Sequence, residues 1–148
     1  MDRLSGQELV SVLISKFPDI SALESRFDAT IIVEAKSLLT TLSTLKAEYG
    51  FNYLADMMAV DNKDGFTVIY RVHSLPDNRQ LVVKVNVERD NACLPTVKSL
   101  WGAADWQERE IYDLMGISFS GRSISRILLP EEFEGHPLRK DYQGGRQV

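Results

Sequence analysis

A single cysteine, Cys93, stands in the 148-residue chain. No disulfide can close within it, so it needs no oxidising compartment, and four-cysteine ligation of an iron–sulfur cluster is excluded. Histidine is nearly as scarce: His73 and His136 are the two, and neither has a second His or Cys within a helical turn, so metal-site spacing is missing. The glycines never form a G-x-G-x-x-G between a strand and a helix, nor a P-loop, which removes the usual nucleotide cradles. No nucleophile elbow with serine, histidine and aspartate partners is present. No stretch approaches the roughly 18 apolar residues of a membrane helix; the richest, Phe51 to Val60, is short and contains Asp56. An excess of basic charge is absent too. The net charge is −4, which offers nothing to nucleic acid. No secretory apolar core follows Asp2, Arg3 and Glu8, so the expected location is the cytoplasm, with any membrane contact made only through partners.

What is present is an ordinary globular composition, 44% apolar and 26% charged, and a chain of this length buries roughly two thirds of its unfolded surface without staples. Leu9, Val12, Leu13 and Ile14 predict a helix over Gly6 to Phe17, ended by Pro18. Ala29 to Glu34 reads as a short strand whose apolar run suits cover on both faces. Leu38, Leu39, Leu42 and Leu45 stripe a second helix, Ser37 to Tyr49, with Ser37 as its cap and Gly50 as its stop. Three strands follow, about Tyr53 to Val60, Phe66 to His73 and Leu81 to Val87. Alternation marks the last two, and Asp64-Gly65 and Pro76-Asp77-Asn78 mark the turns between the three. Pro95 is placed to open a short helix to Trp101. Ala104 to Met115 predicts a longer one, with Asp105 as cap or first-turn acid and Gly116 as stop. The expected fold is α+β, a two-layer domain with helices packed on a mainly antiparallel sheet over residues 1–115.

Residues 116–148 read differently. Glycine and proline recur and no sustained helix or strand is predicted, yet the segment is rich in apolar side chains, which disordered tails lack. Anchors such as Phe133 and Tyr142 alternate with Arg122, Arg126, Arg139 and Lys140, the mixture that protein interfaces favour. An extended C-terminal arm that docks on partner subunits is the expectation. The densest charge group, Glu108-Arg109-Glu110, lies on the helix before it, where Arg109 and Asp113 are four residues apart. Glu108, Arg109, Glu110 and Asp113 are expected to pair with Arg126, Arg139 and Lys140 and so pin the arm across the helix. Catalysis by a site gathering Glu108, Glu110, Asp113 and His136 is the competing reading, and it requires a deep shared pocket.

The run Trp106 to Phe119 resembles W-x-E-R-E-x-x-D-x-x-G-I-x-F, and Arg126 to Tyr142 resembles R-I-L-x-P-x-x-W-x-G-x-P-L-R-K-D-Y. Both are signatures of the 30 kDa subunit family of NADH-quinone oxidoreductase, complex I. The resemblance implies a non-catalytic structural subunit of the peripheral arm that binds no cofactor. It would pack on the large subunit that forms the quinone or nickel–iron site and lie near the small iron–sulfur subunit. FMN, iron–sulfur clusters and quinone would reside in partner subunits, and the chain would sit peripherally at the cytoplasmic face of the cell membrane. Ser125 departs from an arginine of the respiratory pattern. The alternative is the equivalent subunit of an energy-converting nickel–iron hydrogenase, a formate hydrogenlyase or a reduced-deazaflavin dehydrogenase.

Overall fold

The computed structural model describes residues 6–17, 19–23, 29–75, 78–123 and 135–140. Its elements are α1 (Gly6–Lys16), β1 (Ser21–Leu23), β2 (Ala29–Val33), α2 (Ala35–Tyr49), β3 (Tyr53–Asp61), β4 (Gly65–Ser74), β5 (Arg79–Glu88), β6 (Cys93–Pro95), α3 (Ala104–Met115) and β7 (Ser118–Ser120). The period-two pattern decides the layering. Phe66, Val68, Tyr70 and Val72 of β4 pair with Val87, Val85, Val83 and Leu81 of β5. Residues directly opposite in a ladder share a face, so these eight side chains make one apolar surface, and all are buried. Ile31 and Val33 of β2 extend it on one side, and Leu54 and Met57 of β3 on the other. Leu9 and Leu13 of α1, Leu38, Leu42 and Leu45 of α2, and Ile111 and Met115 of α3 complete the same core. The helices therefore cover one face, as an α+β two-layer domain requires.

The sheet order is β1-β2-β5-β4-β3. The β3–β4–β5 meander is antiparallel, but β2 joins it in parallel beside β5. Helix α2 and two antiparallel strands separate β2 from β5 in sequence, so the chain returns to β2 from the far side of the sheet. The turn between β3 and β4 closes with the Asn62 N–H donating to the Gly65 carbonyl at 2.9 Å. Lys63 takes the left-handed conformation there, φ 72, with its amide donating to the Asp61 carboxylate at 2.8 Å. A β-carbon at Gly65 would lie 2.6 Å from the Val87 carbonyl oxygen, so only glycine lets β4 pair so closely with β5. Pro76 and Asp77 lie outside the described residues.

Three expectations change. Helix α2 begins at Ala35 with Glu34 at its N-cap, not at Ser37; the Ser37 hydroxyl instead donates to Asp19 at 2.8 Å. The helix expected from Pro95 to Trp101 is not formed. Pro95 ends strand β6, which runs parallel to β7 with Leu94 buried in the core, and only a single turn follows, in which the Val97 carbonyl accepts from the Leu100 and Trp101 amides. And the chain after Gly116 starts as part of the domain: Ile117 and Phe119 are core residues. Leu42→Ala should lower the stability of the chain by about 2–5 kcal/mol, as for other fully buried leucines; urea unfolding followed by circular dichroism measures it.

Candidate partner interface

Helix α3 organises the C-terminal side of the domain through one buried acid. Glu108 is fully buried. Its Oε1 accepts from the Thr96 hydroxyl at 2.5 Å, and its Oε2 accepts from the Val97 amide at 2.8 Å. The Arg122 guanidinium lies 3.3 Å from Oε1 and bonds the Asp105 carboxylate at 2.5 Å through its other terminal nitrogen. It also donates to the Asp105 carbonyl. Asp105 and Glu108 are three apart on α3, so one arginine reaches both. The hydrogen bond from Arg122 holds the Asp105 carboxyl below the usual range, aided by the charges of Lys98 and Arg109. Tyr70 stands beside this group, and burial, then the charge of Glu108, push its phenol far above the ordinary tyrosine range.

The cation that meets Glu108 is thus Arg122, at the start of the arm. The expected partners were Arg126, which lies outside the described residues, and Arg139 and Lys140, which act elsewhere. The clue available in sequence was Arg122 itself, within the stretch where the chain departs from the family pattern. The remaining acids of α3 do not gather with Glu108. Glu110 accepts the Trp106 indole N–H at 3.0 Å near the surface, Asp113 is fully buried, and Arg109 is half-buried. Glu110 lines a groove beside β3 that Glu108, Asp113 and His136 do not line. Among the described residues, no group of three or more His, Cys, Asp or Glu is placed to hold a metal ion.

Residues 135–140 fold back as a strap over the end of α3. The Leu138 amide donates to the Leu114 carbonyl at 2.9 Å, and the Lys140 amide donates to Asp61 Oδ2 at 2.7 Å. His136 Nδ1 lies 3.0 Å from the Asp113 carbonyl; a carbonyl only accepts, so that nitrogen carries the proton. The His136 ring meets Tyr112 edge-on at 5.5 Å. Gly116, at φ 78, ends α3 where a β-carbon would come within 2.7 Å of the His136 ring. Arg139 stacks over Phe66 at 5.1 Å, with Arg89 over the same ring at 4.8 Å. Arg139 therefore holds the strap through an aromatic face, and Lys140 through its backbone rather than its ammonium. Phe133 and Tyr142 lie outside the described residues.

One large apolar side chain of the strap is turned outward. Leu138 is 60% exposed and borders a groove of about 150 Å³ between α3 and the sheet-edge strand β3, formed with Met57, Met58, Gln107, Glu110 and Leu114. Met58, at 43% exposure, and Trp106, at 53%, flank it. Exposed apolar side chains of this size around a groove are the mark of an interaction surface.

Two outcomes test this framework. Arg122→Met should destabilise the chain by about 3 kcal/mol, because it strips the cation from a buried carboxylate; urea denaturation reads this. Asp61 tests the strap. Burial pushes its carboxyl up, but the amides of Lys140 and Lys63 and the Arg89 guanidinium outweigh that and set it below the ordinary range. With a folded value under the unfolded one, its stabilisation is present above about pH 4 and is lost as pH falls through the folded value. Asp61→Asn should therefore weaken the chain at neutral pH and flatten the acid limb of its stability profile, measured by urea midpoints from pH 7 downward.

The family model described as the respiratory-chain NADH dehydrogenase, 30 Kd subunit, matches residues 31–148. A subunit of the NADH-quinone oxidoreductase of Moorella thermoacetica is 42% identical over 130 residues, covering 86% of this chain and 88% of that one. The like-named subunit of the Geotalea uraniireducens oxidoreductase is 37% identical over 147 residues, covering 95% and 90%. Among solved structures, a trypsin-resistant fragment of Nqo5 superposes with a TM-score of 0.70 at 31% identity, over 78% of this chain and 97% of that one. A chain of the membrane-bound sulfane sulfur reductase, an archaeal respiratory membrane complex, superposes with a TM-score of 0.80 at 25% identity, over 94% and 86%. The family match from residue 31 onward takes in α2, the β3–β4–β5 meander, α3 and the strap, and the chain belongs to the family of the 30 kDa subunit of the respiratory-chain NADH dehydrogenase.

Proposed function

We propose that the chain is a non-catalytic structural subunit in the peripheral arm of a complex I-type NADH-quinone oxidoreductase, which passes electrons to quinone coupled to ion translocation. The observation that carries this reading is the outward Leu138 beside the groove. The strap bearing it is fixed by backbone hydrogen bonds, so the side chain is held in place without being used by its own domain. A preset apolar anchor costs little ordering entropy when a partner covers it. In this reading residues 116–148 serve as the docking arm, with its first residues rooted in the core. The partners are the large subunit that forms the quinone site and the small iron–sulfur subunit. FMN, iron–sulfur clusters and quinone belong to partners, and the chain sits at the cytoplasmic face of the membrane through them. No helix of the described residues is long and apolar enough to cross a membrane.

A second reading places the chain in a related complex with another electron donor or acceptor, such as an energy-converting nickel–iron hydrogenase. The likeness to a chain of the sulfane sulfur reductase complex favours it. The scaffold role is common to both.

Leu138→Asp tests the docking role. The side chain is exposed, so the thermal midpoint of the isolated chain should hold, while the amount co-purifying with the complex falls at least about tenfold, as for loss of a hot-spot anchor. Undiminished co-purification would refute the role given to this surface.

A further inference from the structure

Asp64-Gly65 is the one place in the chain where an aspartate or asparagine precedes a glycine. The pair closes the tip of the β3–β4 hairpin, where Asn62, Lys63 and Asp64 are all exposed. Two neighbouring carboxylates differ sharply there. Asp61 is tied by the amides of Lys63 and Lys140 and by the Arg89 guanidinium. Asp64 has no hydrogen-bond or ion-pair partner among the described residues, so its side chain is free to turn back on the backbone. The amide that follows belongs to glycine, and no side chain shields its nitrogen. Nor can one be added, because a β-carbon at Gly65 would lie 2.6 Å from the Val87 carbonyl oxygen. The close pairing of β4 with β5 demands glycine, and the glycine leaves the amide open to attack.

We infer that Asp64 is a site of spontaneous backbone modification to isoaspartate, and that this modification loosens the strap over α3. The Gly65 nitrogen attacks the side-chain carboxyl carbon of Asp64. A carbon–nitrogen bond forms, the carbon–hydroxyl bond of the neutral carboxyl breaks, and the hydroxyl leaves with the amide proton as water. Water then opens the resulting five-membered imide. Attack at the former side-chain carbonyl restores aspartate. Attack at the former backbone carbonyl breaks its bond to nitrogen and routes the chain through the side-chain carbon. Mass is unchanged, and no oxidant or partner subunit takes part. The product carries an extra backbone carbon between Asp64 and Gly65, where the hairpin has no slack. On one side the Lys63 amide is bonded to Asp61 at 2.8 Å and its carbonyl accepts from Arg89 at 2.9 Å. On the other, Gly65 is pressed against Val87, and its carbonyl accepts the Asn62 amide at 2.9 Å. The added length is taken up by the bonds of Lys63, since exposed turn bonds yield before a buried ladder. Asp61 and Arg89 are shared with the strap: Asp61 accepts the Lys140 amide, and Arg89 stacks with Arg139 on the Phe66 ring. Their displacement frees the strap's end.

Ageing of the folded full-length chain at neutral pH and physiological temperature tests this. Samples are then unfolded, methylated by an isoaspartate methyltransferase with labelled S-adenosylmethionine, and mapped by electron-transfer mass spectrometry. Isoaspartate should accumulate at Asp64 ahead of every other aspartate, and Asp64→Glu, whose longer side chain does not close the five-membered ring, should stay at background. In the modified fraction, separated by ion exchange, hydrogen exchange at the Leu138 and Lys140 amides should quicken about fivefold or more, the scale of one lost hydrogen bond. The core amides of Val68 and Val85 should hold their protection, as should the strap of aged Asp64→Glu. Labelling at Asp64 only when the chain is aged unfolded would overturn the inference, because the fold would then guard the bond. Unchanged exchange at Lys140 in the modified fraction would overturn the coupling to the strap, and lost protection at Val68 would replace it with general unfolding.

Discussion

A single buried carboxylate ties α3 to the ends of strands β6 and β7. Glu108 has no contact with water, and a charge so placed persists only when its lone pairs are filled. It is filled from two stretches of chain: the Thr96 hydroxyl and the Val97 amide just after β6, and the Arg122 guanidinium just after β7. Those bonds tie the ends of β6 and β7 to α3 and fix the point at which the chain leaves the core after Phe119. Loss of any one would leave a buried charge short of a partner, which explains why the region between β5 and α3 is irregular in backbone yet closely packed.

From that anchor the remaining geometry follows. With α3 fixed, its last carbonyls face the strap, and residues 136–140 satisfy them: His136 at Asp113 and Leu138 at Leu114. Helix ends leave carbonyls that something must bond, and here a distant piece of chain does so. The Asp61 carboxylate then closes the far end by accepting the amides of both Lys63 and Lys140. The strap is thus held by the amides of Leu138 and Lys140 together with the His136 and Arg139 side chains, and the Leu138 side chain is left facing outward.

The division of labour in the proposed complex matches this build. A subunit without metal or nucleotide motifs contributes rigidity and surface. On the proposed reading the electron path lies in its neighbours, and this domain fixes their spacing.

The elements were largely legible from the residues. Alternation in Phe66 to Val87 and the leucine stripe of α2 encode strand and helix locally, because burial of one face follows from side-chain period alone. The two signature runs around Trp106 and Arg126 sufficed to identify the family. What the residues did not reveal was long-range pairing. The parallel insertion of β2 beside β5, the meeting of Arg122 with Glu108, and the bond from the Lys140 amide to Asp61 all depend on which segments meet in space. Propensity at Pro95 pointed to a helix and lost to the pairing of β6 with β7 around the buried Leu94, leaving a single turn after Val97. Local sequence determines which face of an element is greasy; only the assembled fold decides which charge stands within hydrogen-bonding reach of which other, because that distance is set by residues far apart in the chain.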